Sequence, residues 1–464
     1  MKSIKEFYKD IKEIYDSYKT LIDKDVIITG WIRRHSKQKS IGFMEISDGT
    51  CFKRLQVIYD TSLKDFERIK QIRMGSSVVI EGKLVESSGS GQEFEIIASS
   101  IELVGDCPID YPIQKQDSSM EYLRSVAYLR PRVKVFQAVF RVRSILSVAV
   151  HTYFQERGFL YLHAPLFTAS DCEGAGEMFQ VTTLDLDKIA KSGEVSYEDD
   201  FYGKPVGLSV SCQFEAETFA QAFKKVYTFG PSFRADKSHT PFHLSEFWHI
   251  EPEIAFCHLD GVMDIAEDLV KYLIRYVLEY AKEEMEYLDK YVEVGLIDKL
   301  KSIVSQSFKR VTYKDCIKLL KESGKKFEFE PIYGEDISKE HEKYITDYYG
   351  CPVFITMWPK ELKSFYMKQS DDGTVYGADL EFPGIGEVFG MSEREVDYDK
   401  LVSRMKELDM KVEDYEWYVK LRKYGTCPRS GFGIGFDRLV MYVTGMKSIR
   451  DVIPYPRASK YCDF

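Results

Sequence analysis

Three stretches of the chain carry side chains of the kind that handle phosphate and carboxylate groups. The first is FRADKSHTPFHLSEFWHIEPE, residues 233–253, in which two apolar runs flank a polar loop. Arg234 stands at the end of one run, and His243 and Phe247 stand where the chain returns. An arginine on a rigid strand can grip a phosphate with its two-pronged guanidinium, and an aromatic ring on the same surface can stack on a purine. The second stretch, SGFGIGFDRLVMYVTG at 430–445, alternates Gly431, Gly433 and Gly435 along an apolar strand. Glycine weakens a strand interior and often marks close approach by a ligand or another backbone; a face stripped of side chains admits a flat ring. Arg438 follows in the first turn of a helix, within reach of a triphosphate. In the third stretch, DLEFPGIGEVFGMSER at 379–394, Asp379 and Glu387 offer the oxygen ligands magnesium prefers, and Arg394 offers a cation to a polar substrate group. Each stretch alone also fits a plain reading: a solvated hairpin, tight helix–sheet packing, an acidic strand. The chain has no GxxxxGK loop and no dinucleotide fingerprint, so any nucleotide it binds must be held by side-chain cations.

These residues need a scaffold, and the pattern along the chain supplies an α+β one. After an opening charged helix come five short strands, Val26–Ile32, Gly42–Ser47, Leu55–Tyr59, Ser77–Val85 and Glu93–Leu103. They are rich in Val, Ile and Phe and bounded by turn residues. RRHSKQKS reads as a polar loop, and Leu63–Arg73 as a short helix between the third and fourth strands. That order is the one expected of an OB-fold barrel. Residues 107–132, with Pro108, Pro112 and Pro131, read as a linker. Val139, Val142, Leu146, Ala149 and Tyr153 then form the apolar stripe of a long helix, and FLYLHAPLF is strand-like. Further strands are expected at Leu208–Val210, Val226–Phe229, His249–Phe256 and Gly386–Phe389, with one helix over Val262–Tyr287. The division is 1–106, helix plus barrel; 107–132, linker or hinge; and 133–464, a large mixed domain with a peripheral insertion around 288–345. Strands grouped apart from helices favour α+β over a parallel α/β sheet.

At 464 residues with 44% apolar and 30% charged residues, the chain is an ordinary folded protein rather than a disordered tail or fibre. No apolar run approaches a membrane span, and the start lacks the apolar stretch of a secretory signal. Nine scattered cysteines without metal-ligand spacing fit free thiols in a reducing compartment. A cytoplasmic location is the expectation. The net charge of −10 at first argues against nucleic acid. Yet residues 26–60 carry six Lys/Arg (Arg33, Arg34, Lys37, Lys39, Lys53, Arg54) against Glu45, Asp48 and Asp60, a local +3. A basic strip on an otherwise repelling surface can still meet RNA.

Taken together the three stretches resemble the class II aminoacyl-tRNA synthetases. Residues 133–165 are similar to their motif 1, FRAD followed by HLSEF to motif 2, and GFGIGFDRL to motif 3. More narrowly, YLRPR (128–132), ASDCEGAGEMF (169–179), YTFGPSFRA (227–235), PGIGE (383–387), WYVKLRKYGTCP (417–428) and IRDVIPYPR (449–457) resemble the bacterial-type asparaginyl-tRNA synthetases, nearly end to end. The resemblance implies an antiparallel sheet flanked by helices behind an anticodon-binding OB barrel, a homodimer, and ATP, Mg2+, tRNA and an amino acid, most simply asparagine, as partners. The amino acid would be activated as aminoacyl-AMP and transferred to the terminal adenosine of tRNA. Catalysis of that kind is positioning plus charge stabilisation and needs no covalent nucleophile. By resemblance, Arg234 contacts the α-phosphate, His243 and Arg438 the γ-phosphate, and Phe247 stacks on adenine over Gly433 and Gly435. Asp379 and Glu387 bind magnesium. Glu173 and Gln213 hold the α-amino group, Arg394 faces the side-chain oxygen, and Glu217 accepts from the side-chain amide. In the barrel, Phe43 and Gln56 stack on and read the middle anticodon base, with Arg33 nearby; the other reading of Phe43 is barrel core.

The departures from the family pattern cluster. SCQFEAE at 211–217 replaces SGQLNGE or SSQLYLE, Gly390–Met391 replaces a glycine pair, and Pro428–Arg429 replaces proline–histidine. Cys212, Ala216, Met391 and Arg429 are thereby placed near the amino-acid pocket. Lineage drift with compensation is one reading, and a relative with altered amino-acid specificity or a non-tRNA acceptor is the other. A non-enzymatic RNA-binding relative is a third.

Overall fold

The computed structural model describes residues 8–87, 89, 91–113, 118–172, 178–238 and 240–464. The chain divides into two compact units, Met1–Val133 and Lys134–Phe464.

In the first unit five strands, β1 (Asp25–Lys37), β2 (Ile41–Ser47), β3 (Leu55–Asp60), β4 (Ser77–Glu86) and β5 (Phe94–Gly105), close a barrel in the order β1-β2-β3-β5-β4. Alternation sends Ile28, Ile32, Met44, Ile46, Val57, Ile80 and Ile96 into its core. Phe43 pairs with Ile58 and Glu45 with Gln56. Met44 and Val57 point inward, so Phe43, Glu45 and Gln56 share the outer face; the reading of Phe43 as barrel core does not hold. The expected loop RRHSKQKS is instead strand as far as Lys37, with a bulge between Ile32 and Arg34. His35 explains the difference. It is buried, with Nδ1 2.9 Å from the Ile72 carbonyl and Nε2 2.6 Å from the Tyr59 hydroxyl. The helix expected over Leu63–Arg73 is only Phe66–Ile69, whose two end residues pack on the core.

The second unit is built on eight strands. They are β6 (Leu160–Tyr161), β10 (Lys225–Phe233), β11 (Glu246–Ala255), β12 (Lys309–Thr312), β13 (Val353–Pro359), β14 (Thr374–Phe382), β15 (Gly386–Glu393) and β16 (Arg429–Gly435), in the order β12-β13-β14-β15-β16-β11-β10-β6. The inner pairs are antiparallel, but β12–β13 and β10–β6 at the two edges are parallel. The sheet is therefore mixed rather than purely antiparallel. FLYLHAPLF does not run as one strand. Leu160–Tyr161 pairs with the large sheet, whereas β7 (Phe167–Thr168) joins β8 (Gln180–Val181) and β9 (Val206–Leu208) in a small sheet of order β7-β9-β8. Pro165 lies between and has no N–H to continue a ladder.

The helix Lys134–Glu156 buries Val139, Val142, Leu146, Ala149 and Tyr153 as its stripe requires. The single helix expected over Val262–Tyr287 is two, Leu259–Tyr280 and Lys282–Tyr291, separated at Ala281 with φ −125°. Leu259–Tyr280 packs across β14, β15 and β16, and the helix Gln213–Phe223 packs against β10 and β11. Residues 288–345 supply β12 at the sheet edge and the helix Tyr313–Glu322, whose Tyr313, Cys316 and Leu320 pack with Ile355, Trp358 and Tyr418. Among the described residues, no helix is long and apolar enough to cross a membrane.

Candidate active site

A cavity of about 460 Å³ opens over the middle of the large sheet. Most of the residues singled out from the sequence line it: Phe247, Asp379, Glu387, Met391, Gly433 and Gly435 from β11, β14, β15 and β16, Arg234 and Arg394 just past the ends of β10 and β15, His243 from the loop before β11, and Gln213 and Arg438 from the first turns of two helices. Strand pairing is what unites them, since residues 51 and 195 positions apart in the chain become neighbours around Arg438. Its Nη1 donates to the Glu387 carbonyl (2.8 Å), its Nε to the Phe242 carbonyl (3.4 Å), and its Nη2 lies 3.3 Å from His243 Nε2. Burial and the Arg438 charge push the His243 imidazole below its ordinary pKa. The Arg234 guanidinium sits 5.3 Å from the centre of the Phe247 ring, a cation–π approach that fixes both side chains at one end of the cavity.

The motif glycines do not leave an empty face. A Cβ on Gly431 would lie 2.1 Å from Glu253 Oε1, and one on Gly433 would lie 2.6 Å from His249 Nε2. Side chains of the neighbouring β11 therefore take the space that was expected for a flat ring. Only at Gly435 is there room: the nearest atom to an added Cβ is the Arg438 stem at 3.8 Å.

Asp379 and Glu387 both face the cavity. Burial raises the Asp379 carboxyl to about 6, the adjacent Glu387 adds to this, and Lys363 pulls it back down. Lys363, half-buried with its ammonium 4.0 Å from the Trp358 ring centre, forms an ion pair with Asp379. A cation is thus already drawn to this carboxylate. Among the described residues no three His, Cys, Asp or Glu side chains are grouped to hold a metal by themselves. Two oxygen donors beside open space fit magnesium, which keeps waters and substrate phosphates as its other ligands.

The other end of the cavity is a buried ionic network. Arg394 forms a bidentate pair with Glu253, Nε to Oε2 at 3.3 Å and Nη2 to Oε1, and Nη1 donates to Ser392 Oγ at 2.5 Å. Burial lifts the Glu253 carboxyl to about 7 against the pull of Arg394, with the nearby Glu217 charge adding to the rise. Glu217 is fully buried and does not line the cavity. Its carboxylate accepts from Gln213 Nε2 (3.0 Å), Tyr418 OH (2.8 Å), Arg429 Nε (2.8 Å) and Arg422 Nη2 (3.4 Å). Burial pushes Glu217 upward, but Arg429, Arg422 and Arg394 together hold it down to about 2. Glu217, expected to accept from a substrate amide, has both oxygens engaged by these side chains behind the cavity wall.

Of the four departures from the family pattern, only Met391 lines the cavity; Cys212, Ala216 and Arg429 lie behind it. Glu173 falls outside the described residues. Reading the sequence alone misses Glu253, Lys363, Arg422, Tyr418 and Asp437. The last lines the cavity, accepts from the Trp248 amide (2.7 Å) and pairs with Arg143 of the long helix. The available signal for Glu253 and Asp437 was a carboxylate set among apolar residues of a core element.

In the first unit, Gln56 Nε2 donates to Glu95 Oε2 (3.0 Å), which also accepts from Gln92 Nε2 (2.7 Å) and Ser87 Oγ (3.0 Å). Arg33 lies half-buried at the bulge, and burial lowers its guanidinium to about 10.

Comparison with known proteins agrees with both units. Residues 26–104 match a family model described as an OB-fold nucleic acid binding domain, and residues 119–459 match one described as tRNA synthetases class II (D, K and N). The chain is 49% identical over 458 residues to the asparagine–tRNA ligase of Clostridium tetani, covering 98% of this chain and 99% of that one. It is 48% identical over 458 residues to that of Bacillus cytotoxicus, with the same coverage. Among solved structures, asparaginyl-tRNA synthetase of Pyrococcus horikoshii complexed with asparaginyl-adenylate superposes with a TM-score of 0.86 at 29% identity, covering 98% of this chain and 99% of that one. The Entamoeba histolytica asparaginyl-tRNA synthetase superposes with a TM-score of 0.83 at 28% identity, covering 96% and 98%. With a family model spanning most of its length and relatives near half identity along all of it, the chain belongs to the class II tRNA synthetases, and within them to the asparagine–tRNA ligases.

Proposed function

We propose that the chain activates asparagine with ATP as asparaginyl-AMP and transfers it to the 3′-terminal adenosine of its tRNA. The observation that carries this is the polarity of the cavity, with Arg234, His243 and Arg438 lining one end and the paired Arg394 and Glu253 at the other. Arg234 would hold the α-phosphate, and Arg438 with His243 the γ-phosphate. Charge developing on phosphorus during attack by the amino-acid carboxylate is then met by fixed guanidiniums, with no reorganisation at the moment of reaction. Phe247 would stack on adenine, with Gly435 leaving the room for it. Asp379 and Glu387 would hold magnesium, which when bound supplies neutralisation of phosphate charge.

A carboxamide presents one acceptor and one donor. Arg394 donates to the oxygen, and Glu253 is the acceptor for the N–H. Aspartate would set a second carboxylate against Glu253, and a misfit of this kind is penalised because a buried polar group loses its partner. The position of Cys212, Ala216 and Arg429 behind the wall supports compensated drift rather than altered specificity. In the barrel, outward Phe43 would stack on the middle anticodon base and Gln56 would read it. A homodimer through the helix Lys134–Glu156 and a cytoplasmic location complete the reading.

The test is ATP–pyrophosphate exchange with each amino acid in turn, followed by charging of total tRNA. Exchange that depends on asparagine, followed by charging, is the expected outcome. Exchange with a different amino acid, or asparagine exchange without charging, overturns the proposal.

A further inference from the structure

Gln213 lines the cavity, and its side-chain amide can face it in two ways, presenting either the oxygen or the NH2 group. An α-ammonium group has only donors, so it needs the oxygen. Among the described residues, no hydrogen bond found on the cavity side fixes that choice. Behind the wall, Glu217 does. An ionised carboxylate is acceptor-only, so the side of Gln213 turned to Glu217 Oε1 at 3.0 Å must be Nε2, which leaves Oε1 for the cavity.

Glu217 is itself held in that state from every side. Tyr418 OH donates to Oε1, while Arg429 and Arg422 donate to Oε2. Arg394 stands 3.9 Å from Oε1. All these neighbours offer donors, and three are permanent cations. Arg429, in the place where the family usually carries histidine, is fully buried and further anchored by Nη1 to Thr426 Oγ1 at 3.1 Å. A histidine there would lose its charge near neutral pH; an arginine does not.

We propose that Glu217 is a positioning residue that sets the polarity of Gln213, keeping its amide oxygen toward the substrate α-amino group, and that Arg429 and Arg422 fix Glu217 as a pure acceptor. This rests on the reading of Gln213 as the partner of that amino group.

The near-isosteric variant Glu217→Gln tests it. The arginines on the Oε2 side demand an acceptor, so the new amide turns its NH2 toward residue 213. Gln213 must then answer with its oxygen and present its own NH2 to the cavity. The expected result is a rise of at least tenfold in the KM for asparagine, with the KM for ATP unchanged. Succinamic acid, which is asparagine without its α-amino group, should inhibit the wild type and Glu217→Gln with the same Ki. The exchanged pair Gln213→Glu with Glu217→Gln restores an acceptor facing the cavity and should recover most of the asparagine affinity. Gln213→Glu alone sets two carboxylates side by side and should not.

Equal loss of asparagine and succinamic acid affinity, or no recovery in the exchanged pair, would overturn the proposal. So would a wild-type KM for asparagine in a folded Glu217→Gln. Failure of the underlying reading is distinguishable, because the wild type itself would then show no asparagine-dependent exchange.

Discussion

The two ends of the cavity solve different electrostatic problems. At the phosphate end Arg234, His243 and Arg438 are steadied by carbonyls, each other and an aromatic face, and no carboxylate side chain is among the hydrogen-bond partners found for Arg438. At the other end the arginines have buried opposites: Arg394 with Glu253, and Arg429 and Arg422 with Glu217. A polyanion is gripped most strongly by charge-assisted hydrogen bonds from cations that line the space it enters. A neutral carboxamide is bound by geometry, and charges that were not paired would attract aspartate instead. The same residue type, arginine, serves both ends, and its neighbours decide which task it performs.

If that contrast is right, removing a cation from the open end should be the most damaging change. Arg234→Ala is expected to lower asparagine-dependent pyrophosphate exchange by roughly 10²–10³-fold, the usual effect of deleting a donor that meets developing charge. The fold should survive, since Arg234 lies at the margin of the sheet beside the cavity rather than in its core. A loss under tenfold would mean that the phosphate is held elsewhere.

At the paired end the effect should be smaller and should depend on pH. Burial lifts Glu253 to about 7 despite Arg394. Its ionised form is the stronger acceptor for the amide N–H and is the one that keeps both prongs of the Arg394 pair. The kcat/KM for asparagine should therefore rise with pH through about 7 and level off above it. Glu253→Gln should abolish this limb and lower the plateau by about tenfold, in the range for a lost hydrogen bond to a charged group. A wild-type profile flat from pH 6 to 8 would remove Glu253 from the site.

The contrast also explains what could be read from sequence. The open end was legible because its residues sit in short local motifs: Arg234, His243 and Phe247 within one hairpin, and Gly435 and Arg438 at one strand–helix junction. At the paired end Arg394, Glu217 and Arg429 were named from the resemblance, but who pairs with whom was not legible. Glu217, Glu253, Arg394, Arg422 and Arg429 come from five separate segments, and their partners are set by the register of β11, β15 and β16 and by the helix beside β11. Register also decided the fate of the glycines. Alternating Gly431, Gly433 and Gly435 looks uniform in the chain, but β11 places Glu253 and His249 against the first two and leaves the third open. The barrel strands were legible because alternation reports a half-buried sheet directly. The extension of β1 was hidden, since the partners that satisfy the buried His35, among them the Ile72 carbonyl and the Tyr59 hydroxyl, are distant in sequence.

The glycines give the next measurement. Gly433→Ala forces a Cβ to 2.6 Å from the His249 ring at the cavity wall. It should destabilise the protein by about 1–3 kcal/mol, as overpacking does, read as a lower denaturation midpoint. Gly435→Ala meets nothing closer than 3.8 Å and should leave stability within about 0.5 kcal/mol while raising the KM for ATP. Equal loss of stability in both would mean that the space at Gly435 is not real.

The smallest effect is expected farthest from the chemistry. Gln56 belongs to the barrel unit, on the same outer face as Phe43, and its amide nitrogen is taken by Glu95 at 3.0 Å. On the proposed reading its oxygen would meet an RNA base, and a single neutral hydrogen bond of this kind contributes about 1 kcal/mol. Gln56→Ala should lower kcat/KM for tRNA charging by about fivefold and leave pyrophosphate exchange at the wild-type rate, because activation takes place among residues of the other unit. Phe43→Ala should cost more than Gln56→Ala in the same assay, since stacking of one base contributes about 1–3 kcal/mol, and it too should spare exchange. Were exchange to fall in step with charging in either variant, the outer face of the barrel would be contributing to amino-acid activation, and the division of labour between the two units would have to be redrawn.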